Sequence, residues 1–129
     1  MLNLTTFAKI LEDAGFGVMG KDIFVNTSPN VSECILILDQ TYGNTVNPQL
    51  PNYYNDSGFQ IIVRNKQFEK AKEIAYNIME ILKIEKSKQV DNLWVNYCYA
   101  KHLPRSYARS DGNICESSVN FALNYVDKE

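Results

Sequence analysis

Between residues 59 and 82 the hydrophobic period switches once, from two to 3.6, and that switch narrows the folds open to this chain more than any other feature. In Phe59-Gln60-Ile61-Ile62-Val63-Arg64, the side chains of Phe59, Ile61 and Val63 fall on one face of an extended strand. Asn65 can then cap a helix over residues 66–82. Its apolar stripe is Phe68, Ala71, Ile74, Ala75, Ile78 and Leu82, with Lys70, Lys72, Glu73, Asn77 and Glu80 facing away. A strand running straight into an amphipathic helix calls for a sheet with at least one helix-covered face.

The rest of the chain supplies the sheet and a second helix. Leu4, Phe7, Ala8, Leu11 and Ala14 have helical spacing, with Asn3 or Thr5 to cap the start and Gly15 to stop it. Residues 22–26 read as a short strand closed by the turn-rich Thr27-Ser28-Pro29-Asn30. Cys34-Ile35-Leu36-Ile37-Leu38-Asp39 is an apolar run too short for a typical helix, and so a buried strand. Residues 83–89 read as a solvated run. Leu93-Trp94-Val95-Asn96-Tyr97-Cys98-Tyr99-Ala100 is aromatic and β-branched, a strand by composition. After Pro104, Ser106-Tyr107-Ala108-Arg109 reads as a short strand. The Asp111-Gly112 turn then leads into a period-two run carrying Val119, Phe121, Leu123 and Tyr125. The expected fold is α+β: a mostly antiparallel or mixed sheet of about five to six strands, with two helices on one face. One domain spanning residues 1–129 accounts for the length, with a long Asn- and Pro-rich loop at about 41–57 that holds Tyr42, Tyr53 and Tyr54.

Composition and charge remove several function classes. Hydrophobic residues make up 45% and charged residues 22%, a globular balance. A net charge of -2 argues against nucleic acid as the main partner. No run approaches the roughly 20 apolar residues that cross a bilayer, and the N-terminus lacks the charge and apolar pattern of a secretion signal, so the expected place of synthesis is the cytoplasm. Cys34, Cys98 and Cys115 are odd in number and widely spaced, which suits buried free thiols better than disulfides or zinc.

Catalytic chemistry finds little purchase. His102 is the sole histidine, and its spacing from Cys98 does not set up a nucleophile and base on a strand. Glu69 and Glu73 share a helix face among lysines, the pattern of a solvated surface rather than a metal site. Asp111-Gly112-Asn113 lacks the later ligands of a calcium loop. No Gly-rich phosphate cradle is present. No catalytic, metal or cofactor residue is therefore assigned, no cofactor is expected, and the chain is read as a non-enzyme. Arg64, Lys66, Lys70, Lys72, Lys83, Lys86 and Lys88 concentrate positive charge around the second helix, mixed with Glu69, Glu73, Glu80 and Glu85. Aromatics on a long loop suit protein contacts as well as they suit packing back on the domain. The candidate interface residues are Tyr42, Tyr53, Tyr54, Arg64, Lys66 and Lys70.

The order of segments resembles a known family. Phe24-Val25-Asn26-x-x-Pro29, an apolar strand, a variable loop, and Phe59 to Arg64 leading into an Ala-rich helix are similar to the phage minor capsid and tail-terminator proteins. Pro104, Asp111-Gly112-Asn113 and Ser118-Val119-Asn120-Phe121 resemble that family's closing hairpin, so the likeness runs from about residue 4 to residue 126. It implies a virion protein of the neck, a homo-hexameric ring at the head-proximal end of a long tail. Such a ring stops tube polymerisation and meets the tail tube protein on one side and a head-side connector or stopper on the other. No membrane is involved, and nucleic acid at most passes through the lumen. Of the positions singled out, Arg64 and the segment 26–29 match the family pattern. Alternative readings are another head–tail connector or minor capsid component, or a small monomeric module that binds one protein.

Overall fold

The computed structural model describes residues 2–41, 47–108 and 113–128. Its elements in chain order are α1 (Thr5–Asp13), β1 (Ile23–Val25), β2 (Cys34–Asp39), β3 (Tyr53–Asn65), α2 (Phe68–Leu82), β4 (Lys88–Val90), β5 (Leu93–Ala100), β6 (Arg105–Ala108) and β7 (Cys115–Asp127). The strands form one mixed sheet in the order β1-β2-β3-β7-β5-β4, and β6 also pairs with β7. Among the described strands, β1 and β2 pair in parallel and the other strand pairs are antiparallel. The α+β architecture with two helices on one face is thus the observed one.

Alternation sorts the sheet into two faces. Ile35, Ile37, Phe59, Ile61, Val63, Val119, Phe121 and Leu123 point to the helical side and join one core with Phe7 and Leu11 of α1 and Ala71, Ala75, Ile78 and Leu82 of α2. Its centre is an aromatic column. Phe7 packs on Phe59 with ring centroids 4.9 Å apart, and Phe59 stacks on Phe121 at 5.0 Å, so α1, β3 and β7 meet through three rings.

The helix ends follow their sequence signals only in part. Asn3 Oδ1 accepts the Thr5 amide at 3.0 Å, but Asn3 lies outside the helix, whose N-cap is Leu4 with no side-chain capping bond. At the other end of α1, Gly15 takes φ +89°, while the Phe16 amide reaches back to Leu11 O and the Gly15 amide to Glu12 O, both at 3.0 Å. That is the Schellman arrangement, which satisfies carbonyls the helix leaves orphaned. Asn65 Oδ1 accepts from the Gln67 amide at 2.9 Å, so Asn65 turns the chain into α2 from outside the helix rather than capping its first turn.

Four differences from the sequence reading have physical reasons. Helix α2 starts at Phe68 instead of 66, and Phe68 is 41% exposed rather than part of the buried stripe, because it lies at the helix end on the flank of that stripe. Ala14 ends α1 exposed. Strand β3 begins at Tyr53, so Tyr53 and Tyr54 are strand residues and not part of a loop extending to 57. The solvated run expected at 83–89 contains an Ile84–Cys98 bridge and the start of β4, a short lysine-bearing edge strand. The Asp111-Gly112 turn lies outside the described residues; the strands flanking it pair antiparallel, with Ala108 opposite Cys115.

Two outcomes test this packing. Ile78 is fully buried in the helix–sheet core, so Ile78→Asp should abolish cooperative thermal unfolding, measured by circular dichroism; a folded variant would mean another face of α2 meets the sheet. Cys98 is also fully buried, and burial pushes its thiol from 9.0 up to about 12. Because the unfolded chain releases this proton near pH 9 and the folded chain does not, stability is intact below pH 9 and falls as pH rises toward 12. Cys98→Val should therefore flatten the decline of Tm above pH 9, and wild-type Cys98 should react with a thiol reagent at pH 8 only on unfolding.

Candidate functional site

The face of the sheet turned away from the helices is partly buried, at Leu36, Ala122 and Asn124, and partly open, at Tyr99 and Tyr107. By alternation it carries Phe24, Leu36 and Ile62 in one cross-strand row on β1, β2 and β3. Toward the β5 side it carries Tyr53, Trp94, Tyr97 and Tyr99, with Tyr107 on β6. Tyr97 and Tyr99 lie with ring centroids 5.4 Å apart, and Tyr99 and Tyr107 are 48% and 42% exposed. Lys128 Nζ sits 5.3 Å from the centroid of the Trp94 ring. Rigid aromatic side chains on a sheet face supply contact area at low entropic cost, the chemistry of a protein interface.

This aromatic end is held in place by amides. The β3–β7 register shifts between Tyr54 and Ser57, and the β5–β7 register shifts between Val95 and Tyr97. Both irregularities flank the same buried residue of β7, Asn124. Its Nδ2 donates to Tyr53 Oη at 2.8 Å and to Asn55 Oδ1 at 3.0 Å, and its Oδ1 accepts from Asn96 Nδ2 at 2.7 Å. Tyr97 Oη donates to Asn55 Oδ1 at 2.7 Å. Side-chain bonds from Asn124 thus link the two bulges and orient two tyrosines. Asn124 has no role in the sequence analysis. The available signal was the placing of asparagine, a poor strand former, at 55, 96 and 124 inside strand runs.

The proposed interface residues do not gather into one patch. Tyr42 lies outside the described residues. Tyr53 belongs to the aromatic end just described, whereas Tyr54, one residue on, points to the other face and packs on the Tyr125 ring at 5.2 Å. Arg64 stands at the far end of β3, about 35 Å away at roughly 3.3 Å per strand residue. Lys66 and Lys70 are exposed near the start of α2.

Arg64 is an internal clamp. Its side chain is 10% exposed, as is that of Glu116, and Nε meets Glu116 Oε2 at 2.7 Å. Nη1 donates to Pro29 O at 2.8 Å and Nη2 to Ser28 Oγ at 2.9 Å. Burial opposes the charge, but the hydrogen bond and attraction from Glu116 outweigh it and hold the guanidinium pKa above its ordinary value. The two features that matched the family pattern, Arg64 and the segment 26–29, therefore touch each other. Tyr107 Oη donates to Glu116 Oε1 at 2.9 Å, tying β6 into the same cluster.

His102 has a structural use that the sequence did not suggest. Strands β6 and β5 pair with successive parts of β7 along the same edge, and Asn120 falls in the gap between them. There the Lys101 amide donates to Asn120 O at 2.8 Å, and the Asn120 amide donates to His102 Nε2 at 3.2 Å. With Nε2 accepting, the ring proton belongs on Nδ1, which donates to Leu103 O at 2.7 Å. The imidazole replaces a missing ladder partner and is turned away from Cys98, whose side chain lies in the core. Among the described residues, no three His, Cys, Asp or Glu side chains converge as a metal site would require. Among the same residues, no helix is long and apolar enough to cross a membrane. What the arrangement offers is contact chemistry.

Arg64→Met should destabilise the protein by about 3–5 kcal/mol in urea unfolding, because it leaves the Glu116 carboxylate buried without its cation. The double variant Arg64→Met/Glu116→Gln should recover part of that loss. With Glu116→Gln measured alone to close the cycle, additive costs would show that the pair is not coupled.

The same segments carry the relationship to other proteins. A family model described as bacteriophage tail terminator protein matches residues 10–127, from the middle of α1 to the last residue of β7. A search among curated proteins finds no match. With nearly the whole fold inside the matched region, the chain belongs to the bacteriophage tail terminator family, structural proteins of the phage particle.

Proposed function

We propose that this chain is a single-domain subunit that closes into a homo-hexameric ring on the head-proximal end of the tail tube of a long-tailed phage. There it stops addition of tube protein and presents its other side to the head-side connector or stopper. The subunits are made in the host cytoplasm and take their place at the neck, with nucleic acid passing only through the lumen. The observation that carries this reading is the tail terminator match over residues 10–127.

The fold is suited to that role. A terminator must bind the growing end yet offer a surface onto which no further tube subunit can dock, which requires different chemistry on its different sides. Here one sheet face is packed by helices, and the other presents tyrosines held by an amide network. The outer strands β1 and β4 have three residues each, too short to recruit strands without limit.

The test combines light scattering on a sizing column, negative-stain imaging and an assembly assay with purified tube protein. The expected result is a six-fold ring, formed alone or on the tube end, that shortens tubes as its concentration rises. Tyr97→Ser/Tyr99→Ser should keep the melting transition while losing tube capping or ring closure. A wild-type chain that neither forms rings nor changes tube length would overturn the proposal.

A further inference from the structure

The corner between β5 and β6 depends on a hydrogen bond that only a neutral histidine can accept. Asn120 turns both of its backbone groups to that edge of β7. Its carbonyl takes the Lys101 amide at 2.8 Å, and its amide donates to His102 Nε2 at 3.2 Å. A regular ladder would offer a carbonyl here, which accepts at any pH; the ring nitrogen becomes a donor once protonated. A second observation falls on the same residue. Asn120 Oδ1 is buried and finds no hydrogen-bond partner among the described residues, so the neutral arrangement leaves an acceptor unused beside the ring.

The surrounding charges give an imidazolium no other anchor. Its own segment supplies two exposed cations, Lys101 and Arg105. Strand β7 is uncharged from Ser117 to Asn124, and so is β3 from Ser57 to Val63, which sets Gln60 opposite Asn120. Helix α2 packs over β5 and β6; its Ile74 flank lies by β2 and β3, which leaves Lys72 and Tyr76 on the flank toward this corner. On the outer face stand Tyr99 and Tyr107. The nearest carboxylate along β7, Glu116, is held by Arg64 and Tyr107. No described ion pair includes His102.

We infer that His102 and Asn120 form a proton-operated latch at the β5–β6 corner. With the ring neutral, Nε2 accepts the Asn120 amide, Nδ1–H donates to Leu103 O, and β6 is held in line with β5 along β7. A proton added to Nε2 sets two N–H groups against each other and breaks the first bond. The new Nε2–H then turns to Asn120 Oδ1, while Nδ1–H keeps Leu103 O, so the ring pivots without leaving the corner. The Asn120 amide loses its partner, and the corner shifts on β7 between Tyr99 on one side and Arg105 and Tyr107 on the other. The outer aromatic face thereby has two arrangements, one at neutral pH and one in mild acid, because histidine changes charge between about pH 5 and 8. The latch belongs to the fold and stands apart from the ring reading.

The test is nuclear magnetic resonance on the isotope-labelled wild-type chain, titrated from about pH 8 to about pH 5. At the upper end the ring nitrogens should report the Nδ1–H tautomer, and the Asn120 amide should be protected from hydrogen exchange. On acidification its protection factor should fall roughly tenfold, the change expected for one lost buried hydrogen bond, along the same curve as the ring nitrogens. The Lys101 amide, whose bond to Asn120 O involves no titrating atom, should stay protected. His102→Gln, whose side-chain carbonyl can accept the Asn120 amide at any pH, should keep the protection and lose the pH response. Asn120→Asp, which puts a carboxylate where Oδ1 stands, should carry the midpoint to higher pH, and Asn120→Ala to lower pH. A wild-type Asn120 protection factor that stays constant over this range, or one that falls equally in His102→Gln, would overturn the latch.

Discussion

The pairing of β3 with β7 is the constraint on which the rest of this structure depends. Both strands are 13 residues long, and their register runs from Asn65 opposite Cys115 to Tyr53 opposite Val126. All other strands hang from this pair: β2 and β1 from the outer side of β3, and β5, β4 and β6 from the outer side of β7. A slip of one residue would turn Phe59, Ile61, Val119 and Phe121 out of the core and expose their polar neighbours to it. The aromatic column locks the middle of the pair, since Phe7 can complete it only when Phe59 and Phe121 lie opposite each other.

The two ends of that ladder are fixed by polar groups, each in its own way. At the Arg64 end, a buried ion pair lies between residues directly opposite in register and also gathers Ser28 and Pro29. A charge pair with little solvent tolerates no offset, because any shift leaves both ions desolvated without partners. At the Asn124 end, the strands depart from regular pairing on both sides of β7, and side-chain amides bridge the irregularities. The apolar middle supplies the driving force, and the polar ends make one register better than its neighbours.

How much of this was legible follows from what each segment's residues reveal on their own. The run Cys34 to Asp39 coincides with β2, and the alternation at Phe59, Ile61 and Val63 sits within β3, because burial on one or both faces is written directly into residue type. The stretch before Phe59 was hidden. Asn55, Asp56, Ser57 and Gly58 favour turns locally, yet Ser57 and Gly58 pair with β7 just beyond the register shift that follows Tyr54, and the whole stretch stays in β3. Strand β4 was hidden for the opposite reason, since lysine on an edge strand looks like solvated loop. The clamp could be half seen: Arg64 and the segment 26–29 stood out separately, but only the parallel packing of β1 on β2 and the pairing of β2 with β3 brings them together. The tyrosines at 53 and 54 were read as one loop feature, yet adjacent strand residues face opposite ways, so only Tyr53 joins the aromatic face.

The short edges and the aromatic face answer one requirement together. A sheet protein that assembles through its edges risks open-ended growth, because backbone hydrogen bonding accepts almost any strand. Limiting β1 and β4 to three residues each removes most of that indiscriminate attraction. Specificity must then come from side chains, and the tyrosines held by the Asn124 amide network are placed to offer it. Such a contact is weak when single and strong when closed, since the last subunit of a ring makes two contacts for one loss of freedom.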